Sequence, residues 1–122
     1  MYTVNWSEIP ETENLPNNFR RAVAGKEMGI NRIRWVHPTS LPNHTHEDAE
    51  QVIMMLEGEI KFTINGEQLH LRPGSVTVVP RSAEHSGESI SGEAVFLEVF
   101  APLRIENLYG FLGGAGMPKQ EG

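Results

Sequence analysis

The chain contains no cysteine, which excludes disulfide staples and thiolate metal ligands together. It also lacks any surplus of positive charge. Ten Lys and Arg stand against 16 Asp and Glu, a formal charge of −6. Phosphate binding needs basic stripes and none runs along this chain, so no nucleic-acid partner is expected. Long apolar runs are missing too: nothing approaches the ~20 residues that a membrane-spanning helix requires. The opening Met1-Tyr2-Thr3-Val4-Asn5-Trp6 is polar and carries no basic and apolar secretory pattern. These absences lead us to expect a cytoplasmic protein that binds no membrane. An anionic small molecule stays admissible, because a few arginines in a pocket act locally while net charge is screened beyond ~8–10 Å.

What is present suits one globular domain, 1–122. A chain of 122 residues, 39% apolar and 21% charged, can bury roughly two-thirds of its unfolded surface. The first 18 residues are rich in Pro, Asn and Glu and read as an irregular surface arm. From about Phe19 the chain reads as strands, giving a barrel over about 19–105. Polar and apolar residues alternate over 30–36, and Pro38 and Pro42 then break the pattern. Residues 51–56 are nearly all apolar, which suits a strand buried on both faces, one lining a filled barrel, or a short buried helix. Ile60, Phe62 and Ile64 alternate with polar residues ahead of Asn65-Gly66, the strongest short hairpin signal, because a type I′ turn needs positive φ twice. Leu69 and Leu71 make the return strand. Pro73-Gly74 turns into a β-branched run over 75–79 that ends at Pro80, and 94–100 is the last clear strand. Seven or eight short strands imply an all-β sandwich or barrel. Residues 103–112 read as a short helix or edge strand, and 113–122 as a flexible tail.

The chemistry concentrates in His44-Thr45-His46. Side chains two apart on an extended strand share a face, so the pair already forms a chelate of the commonest metal-ligating side chain. A third histidine and a side-chain oxygen would complete a four-ligand site. His85 supplies the first. Glu50 and Gln51 compete for the second, since a carboxylate is the commoner ligand. Alone, the pair reads more readily as loop histidines beside Pro42 and Asn43. His37 and His70 lack partners at ligand spacing and are expected at the surface. Arg32 and Arg34 share a strand face that points either into the pocket or outward, and Arg81 is near His85. Met54, Met55 and Ile53 read as barrel lining.

At these spacings the chain resembles the cupin superfamily. His44-x-His46, Gln51 and Gly58 match its first motif, and Gly74, Pro80 and His85 its second, with the short spacer holding the Asn-Gly hairpin. Pro38, Ser82 and Ser89 depart from that pattern without removing a ligand. The resemblance implies a double-stranded β-helix, or jelly-roll, barrel. It selects Gln51 over Glu50 and assigns His44, His46, Gln51 and His85 to a divalent transition metal (Zn, Ni, Fe, Mn or Co), among which affinity order alone does not choose.

A narrower likeness lies in Glu98-Val99-Phe100-Ala101-Pro102-Leu103-Arg104. It resembles the small pectin-degradation cupins of the KdgF type, which carry an acid, a phenylalanine two positions on, then proline and arginine. Here Glu98 replaces their aspartate, and Ile53 stands where a glutamine is expected. The resemblance implies a metal-dependent enzyme that opens a 4,5-unsaturated uronate to its linear keto form. Glu98 would move the proton, with a pKa raised by an apolar barrel. Phe100 would pack on the sugar, and Arg104 would grip the carboxylate with two hydrogen bonds. A neutral glutamine ligand leaves the ion's full charge for Lewis-acid chemistry rather than oxygenase chemistry. Alternatives are a polyketide cyclase, a dioxygenase or a non-catalytic binding barrel. Apolar sheet edges lead us to expect a homodimer.

Overall fold

The structure, a computed structural model, describes residues 3–103. A single 3₁₀ turn, Trp6–Glu8, precedes ten strands: β1 Thr12–Leu15, β2 Asn18–Ala24, β3 Gly29–Val36, β4 Ser40–His44, β5 Glu50–Glu57, β6 Ile60–Ile64, β7 Glu67–Leu71, β8 Val76–Val79, β9 His85–Ser89 and β10 Glu93–Ala101. All pairings are antiparallel. One sheet runs β1-β2-β3-β10-β5-β8 and the other β4-β9-β6-β7. No α-helix occurs among the described residues. The expected all-β jelly roll is the observed architecture.

Strand alternation decides what faces the core. On β3, Asn31, Ile33 and Trp35 are buried while Ile30, Arg32 and Arg34 are not. Trp35 meets Phe96 of β10 edge-on, ring centroids 5.2 Å apart, an arrangement that aromatic quadrupoles favour. Ile60 and Phe62 of β6 close the core from the opposite sheet. Gly87 makes room for the indole, since a Cβ there would lie 2.9 Å from Trp35 Cη2. Asn65 and Gly66 have φ of 47° and 82°, the two positive values that the Asn-Gly signal predicts. At Gly58, where β5 ends, φ is +71° and any Cβ would run into the Glu93 carbonyl oxygen.

Four expectations are corrected. Within the irregular arm expected over 1–18, Thr12–Leu15 form strand β1, which pairs with β2 through a turn at Asn17, φ 62°. Residues around Pro42 form β4, an edge strand. Proline is tolerated at a sheet edge where no ladder N–H is required, and the register shifts between Leu41 and His44. Strand β9 was not expected, because its sequence His-Ser-Gly-Glu-Ser carries no apolar alternation. Finally, β5 is buried on one face only. Ile53 and Met55 point inward, Met54 does not line the barrel, and Leu56 is 46% exposed. Residues 104–122, including the expected element at 103–112 beyond its first residue and the tail, lie outside the described residues.

The N-terminal hairpin is pinned to the sheet by charge. Arg34 donates to both oxygens of Glu11, at 3.1 and 2.7 Å, and to Glu93 at 2.8 Å. Its guanidinium also sits 4.5 Å over the Phe19 ring. The Arg34 hydrogen bond, with Coulomb attraction behind it, holds the Glu11 carboxyl below its usual range despite the opposing effect of burial. A depressed folded-state pKa stabilises above the unfolded value and is lost as pH falls through the folded one. Glu11→Gln is therefore expected to cost about 1 kcal/mol at pH 7, with the gap to wild type narrowing at an acidic pH where the carboxyl protonates. Urea denaturation at both pH values tests this, and an equal gap at each would show that charge is not the cause.

Candidate metal centre

The two histidine segments meet where β4 and β9 pair. His44, the last residue of β4, stands opposite His85, the first of β9. His46 lies beyond the strand end, so the shared strand face expected for the pair holds only as far as His44. The loop instead delivers His46 by a backbone clip: the Ser82 N–H donates to the His46 carbonyl at 2.8 Å. One ring nitrogen from each of His44, His46 and His85 falls within 4.8 Å of the others. Ring centroids are 4.0 Å apart for His44 and His85, 4.7 Å for His44 and His46, and 4.9 Å for His46 and His85.

The tautomers follow from the partners. His44 Nδ1 lies 2.7 Å from the Pro42 carbonyl and His85 Nδ1 lies 2.9 Å from the Ala83 carbonyl. A carbonyl only accepts, so each Nδ1 must carry the proton and donate. That leaves Nε2 of both rings with its lone pair for a ligand, a common outer-shell device of metal-binding histidines.

Gln51 of β5 faces the same cavity and is buried, while Glu50 is exposed on the other side. Strand parity puts Gln51, and not Glu50, on the cavity side. Gln51 Nε2 donates to Glu98 Oε2 at 2.6 Å. A carboxylate accepts, so the NH₂ end must face Glu98 and the amide oxygen must face away. Gln51 Oε1 is buried with no hydrogen-bond partner. Gln51 and the three histidines line one cavity, and their neutral oxygen and nitrogen donors fit a divalent transition ion.

The cavity measures about 220 Å³, below the ~300–1,000 Å³ of drug-sized ligand pockets, so it suits one small molecule. Glu98 and Phe100, both on β10, line it as expected. Phe100 is fully buried, its ring 5.7 Å from that of His46. Ile53, Ile60, Phe62 and Phe96 form apolar walls. Arg104 lies outside the described residues. Arg34 is on the outer face with Glu11, and Arg32 shares that face. Arg81 is exposed, as are His37 and His70, the latter paired with Glu59.

The lining residues that were not anticipated include Asn14, Asn18, Arg20, Asn31 and Trp35. The signal for two of them was available. Once Ile33 and Trp35 point inward, Asn31 must as well and the neighbouring arginines must not. Asn18 and Arg20 depend on the β2–β3 register, in which Asn18 faces Trp35 and Arg20 faces Ile33.

The Cupin domain family model matches residues 35–100. No curated protein matches the chain. Among solved structures, KdgF from Halomonas sp. is similar at TM-score 0.80 and 20% identity, covering 87% of this chain and 98% of its own. An RmlC-like cupin from Shewanella frigidimarina also reaches 0.80, at 18% identity over 87% of this chain and 95% of that one. The polyketide cyclase RemF from Streptomyces resistomycificus reaches 0.71, at 21% identity over 84% and 79%. At these identities the likeness concerns the fold.

The geometry predicts the metal response of two variants. His85→Ala should weaken Zn(II) or Co(II) binding by ~100-fold or more, and Glu98→Ala by ~10–100-fold through loss of the Gln51 tether. Competition titration with a chromophoric chelator measures both. Unchanged affinity in Glu98→Ala would refute the tether.

Proposed function

This chain belongs to the cupin-domain family, and from that membership we propose that it is a metal-dependent enzyme that opens a 4,5-unsaturated uronate to the linear keto-deoxy acid. The observation that carries this reading is the Gln51–Glu98 hydrogen bond in the cavity that the three histidines also line. In this reading a carboxylate that handles protons shares the cavity with a site whose ligands, three imidazoles and one amide, would all be neutral. His44, His46, His85 and Gln51 would hold the ion. When bound, a divalent ion supplies Lewis acidity toward substrate oxygens at undiminished charge.

The remaining steps belong to the chain's own residues. The reaction is an isomerisation: the hemiacetal C–O bond breaks, the anomeric hydroxyl loses its proton, and the ring enol ether becomes a ketone as the neighbouring carbon gains one. Glu98 would accept the first proton and deliver the second, so that no external acid or oxidant is consumed. Phe100, at the cavity floor beside His46, would pack against one sugar face. The apolar walls from Ile53, Ile60, Phe62 and Phe96 would limit water around the enol. A cation would hold the substrate carboxylate: Arg104, given that part by the family resemblance, lies outside the described residues, and Arg20 lines the cavity. The likeness to KdgF supports this reading at the level of fold.

Metal-loaded protein should remove the conjugated enol-ether absorbance of unsaturated galacturonate much faster than it decays spontaneously, and a chelator should abolish the gain. Glu98→Gln can still accept the Gln51 N–H, so it should keep its metal while turnover falls by ~100-fold or more. A metal-loaded protein giving no acceleration would sink the uronate assignment and favour cyclase chemistry or simple binding.

A homodimer is the assembly we propose. Edge strand β8 exposes Val76 and Val78 at 64% and 57%. Along the β5–β8 register they stand beside Met54 and Val52, so apolar side chains continue inward from the edge. A two-fold pairing of that edge covers them with the same surface of a second copy. Light scattering should report twice the chain mass for wild type and a monomer for Val76→Glu/Val78→Glu. A wild-type monomer would refute the dimer.

A further inference from the structure

The cavity has a second polar region, away from the histidines, built by β2 and β3. Ala22 and Ala24 are buried on β2, and their parity carries Asn18 and Arg20 inward. Asn18 is 5% exposed and stands opposite Trp35, which is 2% exposed. Both line the cavity. Asn18 Oδ1 and Trp35 Nε1 have no hydrogen-bond partner. One is an acceptor and the other a donor, on residues directly paired across two strands. Buried polar atoms are rarely left so. A hydroxyl is the group that can serve both at once, donating to the amide oxygen and accepting from the indole N–H.

Arg20 follows two residues further along the same inward face. Of the described residues lining the cavity, it is the single Lys or Arg. By ladder spacing its backbone lies about 12 Å from that of Glu98, two strands across and one inward position along. Both side chains line the same cavity.

We infer that Asn18, Trp35 and Arg20 form a subsite for the polar end of a small polyhydroxy acid, with its carboxylate on Arg20 and a hydroxyl between Asn18 and Trp35. The identification of that acid as a uronate rests on the function proposed above, whereas the subsite itself requires only an acid carrying hydroxyls. Ligand orientation follows: the carboxylate lies toward β2, which leaves the hydroxyls remote from it for the histidine cluster.

Calorimetry on the metal-loaded protein with galacturonate, its methyl ester, gluconate and galactose tests the inference. Wild type should prefer the acids to their neutral counterparts. Arg20→Met should lose at least tenfold in affinity for the acids and none for the neutral sugars, at unchanged metal content per chain. Arg20→Lys, which retains charge without the planar fork, should fall between them and guards against a folding defect. Trp35→Phe should weaken acids and neutral sugars alike. An acid preference that survives in both Arg20 variants, or is missing from wild type, overturns the subsite. Arg20-dependent binding of gluconate but not galacturonate upholds the subsite and removes the uronate assignment. Ring opening with unaltered KM in Arg20→Met overturns the subsite and leaves the proposed function standing.

Discussion

The hydrogen bond from Gln51 Nε2 to Glu98 Oε2 gives the cavity its polarity. A carboxamide can present either end to a pocket, and rotating it exchanges a donor for an acceptor at little steric cost. Glu98 removes that freedom, because its carboxylate accepts and the NH₂ must turn toward it. The amide oxygen is thereby aimed away from Glu98, without a partner of its own. The same logic operates at His44 and His85, where backbone carbonyls hold the proton on Nδ1. Three polar side chains thus have their acceptor atoms directed by neighbours that can only accept.

That arrangement depends on strand β10. It is the one strand that pairs with both β3 and β5, and its register brings Glu98 beside Ile53 and Phe100 beside Gln51. Glu98 and Gln51 are therefore diagonal neighbours across one ladder, within reach of long side chains. The opposite sheet contributes His44 and His85 from a pairing at its edge. The site lies between the sheets, where the closing core of Trp35, Phe62 and Phe96 gives way to polar side chains.

Much of this was legible beforehand. Period-two alternation over β3 and β6 and the Asn65-Gly66 turn found their strands, since each is a local consequence of side-chain direction or backbone sterics. The histidine spacing located the candidate cluster. The strands that carry the histidines were harder to see. Both β4, with Pro42 and Asn43, and β9, with Gly87, lack the apolar pattern that marks a strand. They form because neighbouring strands supply the ladder bonds, and that partnership is not local. The early segment failed for the same reason: β1 is polar and owes its pairing to β2 and its anchorage to Arg34.

The sequence by itself determined the all-β class, the turn chemistry, the two-residue alternation of the clear strands and the histidine-bearing segments, because these follow from spacing along one chain. Only the tertiary structure decided which nitrogen of His44 and His85 is available, which end of the Gln51 amide faces Glu98, and that Arg34 turns outward while Arg20 turns in. Each of those outcomes is set by a partner far away in the chain. Hydrogen-bond direction and strand register are properties of pairs, and the pairs exist only once the sheets have formed.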